Sequence, residues 1–183
     1  MKAFVMLADG FEDIETLAPI DILRRGGVEV ITVSITDSEY VKSSHNVVIK
    51  ADALIAKTDF TSGDALILPG GYPGYENLGK SAAVGDVLKK YFTDKKLIAA
   101  ICGAPTVLAA NNVAVGAAVT CHSCAVEIMK QKYDYRGGDV VRDGNIITAV
   151  GAGLSIDFGF EILDALVDDE IVDKVKKAME LQL

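Results

Sequence analysis

Short runs of consecutive apolar residues alternate along this chain with segments in which apolar residues recur every three or four positions. The first pattern suits strands buried on both faces, the second helices that bury one face. Lys2–Ala8 predicts a first strand, and a helix follows from about Phe11 to Arg25, closed by Gly26-Gly27. Glu29–Ser34 predicts a second strand. Shorter β pieces fall between Tyr40 and Ile55, clearest at Val47-Val48-Ile49. Ala65–Leu68 predicts a buried strand ending in Pro69-Gly70-Gly71, Ala82–Phe92 a helix, and Leu97–Ile101 a strand that runs into Cys102. Val140–Arg142 and Ile146–Val150 flank Asp143-Gly144, a hairpin signal. Ser155 is the expected cap of a helix with Ile156, Phe160, Leu163 and Val167 on one face. A last helix begins near Asp168-Asp169 and turns Ile171, Val172, Val175 and Met179 inward.

This alternation predicts an α/β sandwich: a mostly parallel sheet with helices on both faces. Ligands in such folds sit beyond the carboxyl ends of the strands. Asp9-Gly10, Pro69-Gly70-Gly71, Cys102 and Gly151-Ala152-Gly153 all follow predicted strands, so they should meet at one edge. The 183 residues fit one domain, 1–183, with no repeat and no linker. A net charge of -8 disfavours a nucleic-acid or anionic-membrane partner. The apolar run Ala3 to Ala8 is too short for a signal-peptide core, and none reaches the length of a membrane span. Three cysteines outside any disulfide framework suit a reducing, cytoplasmic setting.

Cys102 carries the sharpest chemistry. The order strand, Cys-Gly-Ala-Pro, helix places its thiol at a tight turn by the amino end of a helix, where unpaired N–H groups and the helix dipole should ease its ionisation. Gly103 leaves room for a reactant, and Pro105 suits a first helical turn. A free cysteine is also, commonly, just a small buried hydrophobe. Of the acids in the first turn of the first helix, Glu12 and Asp13 need no role beyond complementing the dipole. Glu15 differs, being surrounded by Ile14, Leu17 and Ala18.

Gly74-Tyr75-Glu76-Asn77-Leu78-Gly79-Lys80-Ser81 matches the phosphate-loop pattern G-x-x-x-x-G-K-S. Its context is wrong: Pro69 to Pro73 separate it from the preceding strand, and no later strand ends in a magnesium-holding Asp. Cys121-His122-Ser123-Cys124 can be read as a redox dithiol, as soft metal ligands with His122, or as a loop with two incidental thiols. No second C-x-x-C accompanies it, and His45 is the only other histidine. His122 itself is either a polar surface residue or the partner of a nucleophilic cysteine.

The chain resembles the ThiJ/PfpI superfamily, most closely its parkinsonism-associated deglycase branch. The resemblance runs through Ala8–Thr16, Pro19–Arg25, Leu68-Pro69-Gly70-Gly71, Asn77-Leu78, Ala99-Ala100-Ile101-Cys102, Thr120-Cys121-His122 and Gly151-Ala152-Gly153. It implies a flavodoxin-like (class I glutamine amidotransferase-like) sandwich and a homodimer. It makes Cys102 the nucleophile, Glu15 a protonated carboxyl beside its sulfur, and His122 a nearby imidazole. Gly71 and Gly103 become backbone donors to an oxyanion. The implied activity is a cofactor-free, metal-free conversion of small dicarbonyls such as methylglyoxal to lactate, or repair of glycated protein. The alternatives are a redox sensor or chaperone working through oxidation of Cys102, with Cys121 or Cys124 as a resolving thiol, and a peptidase or amidohydrolase. Gly103 stands where many relatives carry a histidine, which weakens the peptidase reading. Ala152 replaces a proline usual in this branch, and His45 an arginine often found near the pocket.

Overall fold

The computed structural model describes residues 1–181. The strands are β1 (Lys2–Leu7), β2 (Glu29–Ser34), β3 (Tyr40–Lys42), β4 (Val48–Lys50), β5 (Ala53–Leu54), β6 (Ala65–Leu68), β7 (Leu97–Ile101), β8 (Ala118–Val119), β9 (Asp134–Tyr135), β10 (Val140–Asp143) and β11 (Ile146–Ala149). The helices are α1 (Asp13–Arg25), α2 (Gly74–Lys80), α3 (Ala82–Thr93), α4 (Pro105–Ala110), α5 (Val126–Met129), α6 (Ser155–Asp164) and α7 (Asp169–Ala178).

Seven strands form one sheet in the order β10-β11-β7-β6-β1-β2-β5. All pairings are parallel except the β10–β11 hairpin. Alternation along β1 shows why the strands are apolar throughout. Ala3, Val5 and Leu7 pack with Ile22, Leu23, Phe158 and Ile162 of α1 and α6, while Phe4 and Met6 pack with Val84, Leu88, Val107 and Leu108 of α3 and α4. Each fully buried Leu or Ile contributes roughly 1.5–3 kcal/mol relative to exposure. A sheet covered on both faces in this way is the flavodoxin-like, class I glutamine amidotransferase-like sandwich expected.

Several local expectations need correction. Phe11 is buried ahead of α1, and Glu12 caps the helix by accepting from the Glu15 N–H at 2.7 Å. Ser155 does not cap α6; it is the first helical residue, and its hydroxyl donates back to the Ala152 carbonyl. The buried face of α6 is Phe158, Gly159, Phe160, Ile162 and Leu163, whereas Ile156 is exposed. Gly159 lets α1 approach closely: a Cβ there would sit 2.7 Å from Ile22 Cδ1. Ile171 also faces out, leaving Val172 and Val175 as the buried residues of α7. The hairpin turn is Gly144-Asn145, one residue later than expected, because Asp143 pairs with Ile146 and Gly144 adopts φ +59°. β3 and β4 form a separate antiparallel pair beside the main sheet.

The phosphate-loop pattern folds as α2, which the sequence reading did not foresee. Its backbone is helical rather than an open cradle, and exposed Lys80 pairs with Glu76 at 2.9 Å.

Candidate active site

Strands β11, β7, β6 and β1 are parallel neighbours, so their carboxyl ends share one edge. The chain leaves β1 toward β2 on one side and returns through β6 and β7 on the other. The crevice therefore opens between β1 and β6, where such folds place ligands. The Glu12 N–H donates to the Gly70 carbonyl at 3.0 Å and the Gly74 N–H to the Gly10 carbonyl at 3.2 Å, tying the loops together.

Cys102 follows β7 with φ +64°, a left-handed conformation that a non-glycine residue adopts at a cost of roughly 1–3 kcal/mol. Its own N–H donates to the Ala149 carbonyl, and its carbonyl accepts the His122 N–H, both at 2.9 Å. These bonds hold the strained turn against β11 and the loop before α5. The side chain is half-buried, and the N–H groups of Gly103 and Gly71 point at its sulfur.

Glu15 lies in the first turn of α1 and is 1% exposed. Its Oε2 accepts the Gly70 N–H at 3.0 Å, the Ala152 N–H points at the same carboxyl, and the carboxyl faces the Cys102 sulfur. Gly70 is required sterically: a Cβ there would fall on Glu15 Oε2 and 2.6 Å from the Cys102 Cβ. Burial lifts the Glu15 carboxyl to about 7, assisted by the charge of Glu12 and opposed by Cys102 and the two N–H groups.

The thiol behaves contrary to the sequence expectation. Burial, and then the Glu15 charge, push it up to about 12 against the pull of the Gly103 and Gly71 N–H groups. α4 has only six residues, too short a dipole to outweigh these effects. The two groups titrate together. Below about 7 the pair carries two protons, and between about 7 and about 12 it carries one. With that proton on the carboxyl, repulsion between the groups disappears and the carboxyl donates to a thiolate. The site thus couples nucleophile and acid through a shared proton.

His122 is exposed at the rim; a Cβ on Gly151 would lie 3.7 Å from its Cδ2 and 3.8 Å from Glu15 Oε1. Its Nδ1 accepts the Cys124 N–H at 3.3 Å, so in the neutral ring Nε2 carries the proton. Cys121 is buried in the core, and burial pushes its thiol up to about 11, whereas Cys124 is exposed. His45 reaches Asp13 Oδ2 at 2.8 Å, beside rather than inside the crevice. Glu12, Asp13 and His45 bring potential ligand atoms within 4.8 Å of one another, but His45 is largely exposed and already bonded to the acid.

The sequence reading missed Gly70, Ala152 and Tyr75. Gly70 was visible only as half of a Gly-Gly turn. Ala152 contributes through its backbone, as the proline usual at this position could not. Tyr75 walls the site, its ring occupying the space a Gly103 side chain would need. Ala152 opens a short helical turn after an extended Gly151, a place where proline fits. Ala152→Pro is expected to leave the fold intact and to raise the Glu15 pKa by roughly half to one unit, the worth of one hydrogen bond. Carboxyl titration followed by infrared or NMR spectroscopy checks this.

The DJ-1/PfpI family pattern matches residues 1–165. The chain is 38% identical to the Parkinson disease protein 7 homolog of Danio rerio, across 99% of this chain and 97% of that protein. It is 32% identical to the glutathione-independent glyoxalase DJR-1.2 of Caenorhabditis elegans, across 92% and 89% respectively. The crystal structure of Drosophila melanogaster DJ-1beta superposes with a TM-score of 0.96 at 37% identity, covering 100% of this chain and 98% of that one. These similarities extend over nearly the whole sequence and fold, and this chain belongs to the DJ-1/PfpI family.

Proposed function

We propose that this chain is a cofactor-independent cysteine enzyme that converts methylglyoxal and related small dicarbonyls to hydroxy acids. The observation that carries this reading is the buried Glu15 carboxyl, lifted to about 7 and facing the sulfur of a strained Cys102. The similarity to a relative named a glutathione-independent glyoxalase supports it. Cys102 Sγ adds to the aldehyde carbon while the shared proton moves to the aldehyde oxygen, giving a hemithioacetal. The Gly71 and Gly103 N–H groups stabilise the developing oxygen charge. The ionised Glu15 then takes the proton from the former aldehyde carbon and returns it to the neighbouring carbon through an enediol. His122, with its proton on Nε2, is a donor to the enediol oxygens. Water hydrolyses the resulting thioester, releasing lactate and the thiol. Glycated protein side chains would use the same residues.

Purified protein given methylglyoxal without glutathione tests this. Many equivalents of lactate per chain, at a rate rising with pH through about 7 as the pair drops to one proton, are the expected result. No lactate, together with stoichiometric oxidation of Cys102 by peroxide, would instead establish the redox-sensor reading.

We further propose one domain over 1–183, a cytoplasmic setting suited to three free thiols, and a homodimer. Among the described residues, no helix is long and apolar enough to cross a membrane. Ile14 and Leu17 on α1 and Val47 and Val48 at β4 are exposed, and the Asp13–His45 contact joins these two elements beside the crevice. Their combined face suits a second copy. Leu17→Glu is expected to give a folded monomer by light scattering.

A further inference from the structure

We infer that Cys124 is a second covalent site, one that captures α,β-unsaturated aldehydes with an apolar tail. Its Sγ lies 3.2 Å from His122 Nδ1, which the Cys124 N–H identifies as the unprotonated nitrogen, so a base adjoins the thiol. The Tyr75 hydroxyl faces the same sulfur and supplies a donor that can turn to a carbonyl oxygen. The thiol opens into a groove of about 460 Å³ whose lining combines an apolar wall of Ala109, Ala125 and Ile128 with the charged Glu76, Lys80 and Lys132. That volume is in the range of small-molecule sites. Ile128 is 48% exposed although it is the largest apolar residue of the groove. The Tyr75 ring packs on Gly103, between this groove and the Cys102 crevice, so the two thiols serve separate spaces.

The apolar wall selects the tail, and the thiol selects a soft electrophilic carbon beside it. A sulfur–carbon bond forms at the β-carbon as the carbon–carbon π bond breaks. The thiol proton passes through His122 Nδ1 to the α-carbon, so S–H adds across the double bond and no oxidant or reductant enters.

The test uses the full chain carrying Cys102→Ser, exposed separately to trans-2-nonenal and to acrolein. Adducts are reduced with borohydride and mapped by mass spectrometry, with glutathione as the reference thiol. Because Cys102 is absent, the outcome is independent of the proposed dicarbonyl chemistry. Cys124 is expected to favour nonenal over acrolein at least tenfold more than glutathione does. Ile128→Asn, which adds no charge beside the thiol, should erase that preference, with an unchanged thermal melt showing that the variant is folded. Labelling confined to Cys121 or lysines, or a Cys124 selectivity equal to that of glutathione, would overturn the proposal.

Discussion

Cys102→Ser is expected to lower kcat/KM for lactate formation from methylglyoxal by at least about 10³-fold, equivalent to about 4 kcal/mol of transition-state stabilisation. The reason lies in the shared proton. In the wild type the one-proton state between about 7 and about 12 can place its proton on Glu15 and its charge on sulfur. A serine hydroxyl holds its proton far more tightly than a thiol, so the equivalent state is essentially unpopulated. The oxygen also lacks the polarisability that makes sulfur add readily to an aldehyde. Folding should survive, because the hydroxyl can donate to the Glu15 carboxyl and the strained turn is held by the Ala149 and His122 backbone bonds rather than by the side chain. A coupled lactate assay beside a thermal melt separates loss of chemistry from loss of fold. A folded serine variant retaining more than about a tenth of the wild-type rate would remove Cys102 from the proposed mechanism.

How much of this was legible in the sequence depended on whether local or distant atoms decide each feature. The strands of the main sheet read correctly because a doubly covered sheet demands continuous apolar runs, as at Leu97–Ile101, which is fully buried along its length, whereas the two-residue strands β8 and β9 went unseen. The elbow at Cys102 was legible too, since Gly103 and Pro105 are local signals. Helix ends were less so. Ser155 has the chemistry of a cap, but its hydroxyl finds the Ala152 carbonyl instead. α2 went unseen because its seven residues include two glycines, and its stability comes from packing Leu78 into the core. The Cys102 electrostatics were misjudged for the same reason: the thiol is raised first by burial under the surrounding loops and then by a carboxyl that arrives from α1, 87 positions earlier by number, and no local pattern records either. That Glu15 meets Cys102 rested on family resemblance, and the geometry now gives it a physical basis in Gly70, the only residue type that fits between them.

Glu15→Gln is expected to trade turnover for stability, with opposite signs in the two measurements. Glutamine preserves the shape and can accept the Gly70 N–H that now binds Oε2. It cannot take up or release a proton, so transfer between the two substrate carbons should slow by about 10²–10⁴-fold. Hemithioacetal formation should persist, because removing the neighbouring charge lowers the Cys102 pKa from about 12. Stability follows from the sign of the carboxyl shift. The folded-state value, about 7, lies above the ordinary 4.5, so the native protein binds this proton more tightly than the unfolded chain does. That advantage is complete below about 4.5 and is lost as pH rises toward 7, at about 1.4 kcal/mol per pH unit. Wild type should therefore lose about 3 kcal/mol relative to Glu15→Gln across this interval and run parallel to it above. Urea unfolding of both proteins between pH 4 and 8 reads the difference directly. A constant offset would mean that the Glu15 carboxyl has the same pKa in the folded and the unfolded chain, and would remove the carboxyl poised near 7 on which the proposed turnover depends. The gap opening between the curves as pH rises and the lost turnover together would show that this buried acid is kept for its proton, at a cost in stability that a glutamine avoids.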